Sequence, residues 1–167
     1  MSAAVEHSAF EIRREFKRPR AVVWAAWCDA GQLQRWWGPK GRRVQVLRFE
    51  FRPGGFFHYR MDFDGAPPMW GRFNFREIVA AERLVWLNSF ANEHGGIARA
   101  PFSDHCPMEI QNTVTFVERA GTTTVELRAA PFGELAAERD YFEALRPSLN
   151  EGYGGTFDQL AALLANA

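Results

Sequence analysis

Polar groups set among apolar strand residues are where this chain of 167 residues can do chemistry. Glu77 follows Phe73 and Phe75 at a spacing of two, so strand alternation puts its carboxylate on the core face beside them. A carboxylate there is costly unless paired. Arg83, Arg128 or a Trp N–H can satisfy it as a structural ion pair; left to hold a proton, Glu77 would instead serve as a catalytic acid. Tyr59, Asn112 and Glu109 are comparable cases. Each stands beside apolar strand positions, where its polar atoms either orient a bound molecule or reach solvent at a strand end.

Other chemistry-bearing residues have plainer readings. His94, Asp104, His105 and Cys106 fall in or beside one Gly- and Pro-containing stretch, but their spacing matches no standard zinc motif, so a polar lid and no metal is expected. Cys28 ends an apolar helical segment with no base nearby in sequence and reads as a buried, inert thiol. With no CxxC and wide separation, Cys28 and Cys106 predict two free thiols and a reducing compartment. Trp36-Trp37 either clamps an aromatic ligand or divides its work, one ring anchoring a short helix and the other packing under Pro39. No GxSxG, HExxH, GxGxxG or P-loop spacing occurs, and Gly54-Gly55 precedes a strand, so it is a turn and not a phosphate cradle. No cofactor is implied.

These residues must be positioned by a particular run of elements. Residues 10–16 alternate as a strand, and Pro19 opens a helix that carries Val23, Trp24 and Trp27 at helical spacing. Asp29, with Gln32 three residues on, caps a second short helix that Gly38-Pro39 stops. From residue 44 the period becomes two. Strands are expected at 44–51, 57–63, 69–79, 84–90, 111–117 and 122–129, the last two a hairpin about Ala120-Gly121. Phe57, Tyr59, Met61 and Phe63 share one strand face. Residues 92–107 form a long loop, expected to be mobile and to gate a cavity. Residues 134–165 are helical, with Pro147 dividing or kinking them. Tyr153, Phe157, Leu160 and Leu164 form one stripe, so the helix is expected to run through Gly152, Gly154 and Gly155. The order predicts an α+β domain over residues 7–165: a strongly curved antiparallel sheet of about seven strands, with the final helix across its concave face.

Composition sets the outer limits. Hydrophobic residues are 47% of the chain, enough for a packed core. Twenty basic and 20 acidic residues balance to a net charge of zero. That argues against nucleic acid or an anionic membrane as partner and predicts a tendency to associate, with a homodimer the form to look for. No apolar run approaches a bilayer span, and the first ten residues lack the regions of a secretory signal, so the expected location is the cytoplasm. The 15 Phe, 6 Trp and 3 Tyr can fill a core or wall an apolar pocket.

Certain motifs are also familiar as a set. Arg35-Trp36-Trp37-Gly38-Pro39, Arg52-Pro53-Gly54-Gly55, Glu77-Ile78-Val79 followed by Glu82-Arg83-Leu84, Thr113-Val114-Thr115-Phe116, and Gly152-Tyr153-Gly154-Gly155-Thr156-Phe157-Asp158-Gln159-Leu160 occur in order over nearly the whole chain. Together they resemble the SRPBCC superfamily, and within it the bacterial branch related to the C-terminal domain of the heat-shock-protein ATPase activator. The resemblance implies the START-like, helix-grip fold, a cavity between sheet and long helix, and members that bind lipids, sterols or polyketides or act as cyclases. Nothing N-terminal to residue 8 resembles the extra domain of the eukaryotic co-chaperone, so a chaperone partner is not expected.

The favoured reading is binding of a small hydrophobic or aromatic molecule, lined by Trp24, Phe57, Tyr59, Met61, Phe73, Phe75, Val114, Phe116, Leu127, Leu149, Tyr153 and Phe157. Polar anchors come from Asn112, Tyr59 or Glu77. A cyclase- or hydrolase-like enzyme on the same cavity, or a module that modulates a chaperone ATPase, are the alternatives.

Overall fold

The first strand and the second lie at opposite edges of one sheet, and that separation organises the molecule. The computed structural model describes residues 9–133 and 135–166. Residues 7 and 8, expected to open the domain, and Glu134, expected to open the last helical stretch, lie outside the described residues. The described residues form eight strands: β1 (Phe10–Phe16), β2 (Arg43–Phe49), β3 (Phe56–Phe63), β4 (Ala66–Val79), β5 (Arg83–Ala91), β6 (Ile97–Ala98), β7 (Ile110–Arg119) and β8 (Thr122–Pro131). All pairings are antiparallel, in the order β1-β8-β7-β5-β4-β3-β2, with the two-residue β6 paired to β5. The main path thus has the seven strands expected, and it does not close.

Because β1 and β2 are at opposite edges, their connection must cross the concave face. It does so as two helices, α1 (Arg20–Cys28) and α2 (Ala30–Trp36). Pro19 is the N-cap of α1, one position before the helix it was expected to begin. Asp29 serves both helices. Its backbone N–H closes α1 on the Ala25 carbonyl at 3.1 Å, and its side chain accepts from the Gln32 N–H at 3.1 Å to start α2. Ala120-Gly121 turns the β7–β8 hairpin with positive φ at both residues, as a tight two-residue turn requires.

The chain closes with α3 (Ala136–Ala144) and α4 (Arg146–Ala165). Pro147 sits in the first turn of α4, so it begins a new helix instead of kinking an old one. As expected, α4 runs unbroken through Gly152, Gly154 and Gly155. Thr156, Phe157, Leu160 and Leu164 are its buried residues. The core between helices and sheet is mostly aromatic: Trp27 lies in ring contact with Trp36, Trp86, Phe116 and Phe157.

Candidate functional site

The site is the space that α4 leaves over the sheet. The helix is held along β1, where Tyr153 stacks on Phe10 at 5.9 Å between ring centroids and Phe157 meets Phe16 edge-on at 6.2 Å. Arg14 on β1 adds an ion pair to Asp158 at 2.9 Å and a hydrogen bond to the Gly154 carbonyl. On the other flank the Gln159 amide donates to the Gly38 and Trp36 carbonyls. Fixed on both sides, α4 spans a cavity of about 260 Å³ bounded by β3, β4 and β5. Leu149, Gly152, Tyr153 and Thr156 of α4 form one wall, with Tyr59 and Met61 of β3 and Asn88 and Phe90 of β5 facing them. Trp37 and Arg42, after α2, close one end, and Cys106, Pro107 and Ile110 another. A side chain at Gly152 would meet no atom within 4 Å, so this glycine is empty space on the helix and not a point of close packing.

Tyr59 is positioned by a missing side chain. Its partner across the strand pair is Gly71, and a Cβ there would lie 2.3 Å from the Tyr59 ring. The ring therefore lies flat over Gly71 and is buried. Burial pushes its pKa up to about 12, although the Trp37 indole N–H and the Arg42 charge favour the phenolate. Tyr153 is likewise pushed up by burial, and its hydroxyl donates to Asn112 Oδ1 at 3.0 Å. Asn112 is fully buried and its own N–H₂ reaches the Ile110 carbonyl at 3.3 Å. Both phenols stay protonated at neutral pH. The Cys106 thiol is also pushed up, by burial first and by Glu138 second. Asn88 contributes an oddity: its Oδ1 is buried without a donor, a state that costs about 1–3 kcal/mol. Arg42 lies over the Phe63 ring, 4.3 Å from its centroid.

Of the residues expected to line a cavity, Tyr59, Met61, Leu149 and Tyr153 do so, and Asn112 orients Tyr153 from behind. Phe57, Phe73, Phe75, Val114, Phe116, Leu127 and Phe157 are instead packed in the buried core, where rings and aliphatics meet one another. Trp24 is half-buried between Phe51 and Phe116, away from the cavity. Glu77 is corrected most sharply. A β-bulge between Phe75 and Glu77 inserts Arg76 and reverses the alternation, so Glu77 pairs with Val85 on the opposite face. Its side chain is 47% exposed and meets Arg83 at 3.3 Å, one of the partners expected, but at the surface. Trp36 and Trp37 divide their work: Trp36 is fully buried with its N–H on the Ala26 carbonyl at 2.8 Å, while Trp37 walls the cavity.

Arg42, Asn88, Phe90, Cys106 and Ile110 were not among the expected lining residues. They come from loop ends and from the far end of β5, and only the tertiary path of the chain brings them together. Among the described residues no group of three or more His, Cys, Asp and Glu side chains gathers to hold a metal; His94 points to solvent beside Glu93. The stretch expected as a gate is partly built structure. Asn92 accepts from the N–H groups of His94 and Gly96, β6 pairs with β5, and Arg99 joins the buried Glu138 at 3.4 Å. A wider groove of about 630 Å³ runs outside it, between Pro67–Trp70 and Pro101, without the gathered hydroxyl and amide groups of the inner cavity. No helix among the described residues is long and apolar enough to cross a membrane.

Comparison with known proteins agrees with this architecture. A protein from Arthrobacter aurescens superposes with a TM-score of 0.80 at 28% identity, over 98% of this chain and 89% of that one. Protein Ms6760 from Mycobacterium smegmatis gives 0.77 at 25% identity, over 96% and 92%. DynU16, described as a putative protein in the dynemicin biosynthetic locus, shares the fold at a TM-score of 0.61 and 19% identity, over 95% of this chain and 47% of that one. No curated relative matches significantly. Residues 17–165 match the family described as Activator of Hsp90 ATPase homolog 1-like protein. With nearly the whole chain matched and an SRPBCC-type fold around it, this protein belongs to that family.

Proposed function

We propose that the protein binds a small hydrophobic or aromatic molecule between α4 and strands β3–β5. The observation that carries this reading is a helix tied down on both flanks over a space that Gly152 leaves open, walled by Trp37, Met61, Leu149 and Tyr153. At about 260 Å³ the space lies just below the usual range for pockets that take drug-sized ligands. It suits a molecule of one or two rings better than a two-chain lipid. The fold is one that usually holds hydrophobic ligands, which supports the same reading. It needs no cofactor or nucleic acid.

The catalytic alternative finds little support in the wall. No carboxylate or imidazole is among the described residues that line the cavity, and the two phenols are held protonated. A general base is what such a reaction would need. Isothermal calorimetry with naphthol tests the proposal: saturable binding at one per chain is expected, and no heat of binding at millimolar naphthol would reject it.

A further inference from the structure

The cavity wall has a charge, and that charge names the class of ligand. Among the described residues that line it, Arg42 alone is ionised at neutral pH: they include no Asp, Glu, His or Lys, and the phenols and thiol stay protonated. Arg42 has no carboxylate partner in any ion pair of the described residues, in a chain where most arginines of the sheet have one. What it has is the face of Phe63, with Cζ 4.3 Å from the ring centroid, a contact that leaves guanidinium N–H groups available to an anion. Burial already works against its charge, and the neighbouring Tyr59 works slightly for it. A half-buried guanidinium without a counter-ion, next to a phenol that donates, is a recognition site for one carboxylate. Two such donors suit a single negative charge better than a phosphate, which asks for more.

Beyond Arg42 and Tyr59 the wall is mostly apolar, with Trp37, Phe90 and Leu149 available to a ring. We infer that the ligand is a small aromatic monocarboxylic acid, its carboxylate on Arg42 and Tyr59. This rests on the binding reading above and adds the charge of the molecule bound.

Calorimetry at pH 7 with cinnamic acid and its primary amide tests it. The acid should bind about tenfold or more tightly than the amide, because only the acid pairs with the guanidinium. Arg42→Gln should remove most of that preference, while Arg42→Lys keeps part of it; a cooperative thermal melt of each variant reports that it is folded. Equal binding of acid and amide to the unaltered protein, or an acid preference that survives Arg42→Gln undiminished, would overturn the charge assignment while leaving the cavity reading intact. Failure of both compounds and of naphthol to bind would overturn both readings.

Discussion

The two ends of the space under α4 are built from the same kinds of residue and come out differently. Toward the C-terminal end of the helix, Phe157, Leu160 and Leu164 interlock with Phe16, Trp27, Trp36 and Phe116, and all are essentially inaccessible. Toward the N-terminal end, Trp37, Tyr59 and Tyr153 are equally aromatic, yet they surround a cavity. What differs is the helix. At one end it offers Phe and Leu to the sheet, and at the other Ser148, Leu149 and Gly152. Aromatic excess in a sequence therefore marks a filled core as readily as a binding site, and the small residues opposite the rings decide which.

Breaking the filled end should have the largest effect. Phe157→Ala removes a fully buried ring in contact with Phe16, Trp27 and Tyr153. Unfolding in denaturant should show a loss of about 3–5 kcal/mol; a loss under about 1 kcal/mol would mean that this end is not solid.

At the open end two glycines of opposite meaning give a sharper contrast. Gly71→Ala places a methyl 2.3 Å from the Tyr59 ring. It should destabilise by about 1–3 kcal/mol and weaken ligand binding by displacing that ring. Gly152→Ala meets nothing and should stabilise by up to about 1 kcal/mol through helix propensity. If thermal melts rank the two the other way, the description of the cavity wall is wrong.

Acid should act on neither end but on the sheet's convex face. His58 is buried there, its Nε2 3.1 Å from the Asn92 carbonyl oxygen and its neighbour Arg72 bonded to the Gly95 carbonyl. Burial lowers its pKa below the usual 6.5; the Asn92 carbonyl opposes that shift and Arg72 adds to it. The unfolded chain then binds the extra proton more readily than the folded one. The stability that a neutral His58 contributes is complete above about pH 6.5 and is lost as pH falls toward the depressed folded value. Stability measured from pH 7 down to 5 should decline less in His58→Gln than in the unaltered protein.

The smallest effect belongs to Glu77→Gln. An exposed pair with Arg83 contributes about 0–1 kcal/mol, so stability should barely move and ligand affinity not at all. A marked loss of affinity would restore Glu77 to the site.

The elements were readable because period-two alternation and the capping residues Asp29 and Gly38 are local signals. So was the long helix through three glycines, since the stripe from Tyr153 to Leu164 kept its spacing. Glu77 was misplaced because a bulge adds one residue without changing the composition around it, and one residue is enough to exchange the faces of a strand. The burial of His58 depends on a turn at residues 92–96 folding back onto the sheet, which no spacing announces. Most of the cavity wall was missed for the same reason. Arg42, Asn88 and Cys106 are far apart in sequence, and the position of α4 alone makes them neighbours of one space.

That position is the central claim, and leucine at two glycines of α4 tests it most directly. Gly152 faces the cavity, whereas Gly155 lies beside the surface stem of Lys40, 3.9 Å from where its Cβ would be. Titrating naphthol into folded Gly152→Leu and Gly155→Leu proteins should show binding weakened about tenfold or more in the first, where the new side chain fills the cavity, and unchanged in the second. Equal binding to both variants would show that the space under Gly152 is not where a ligand sits.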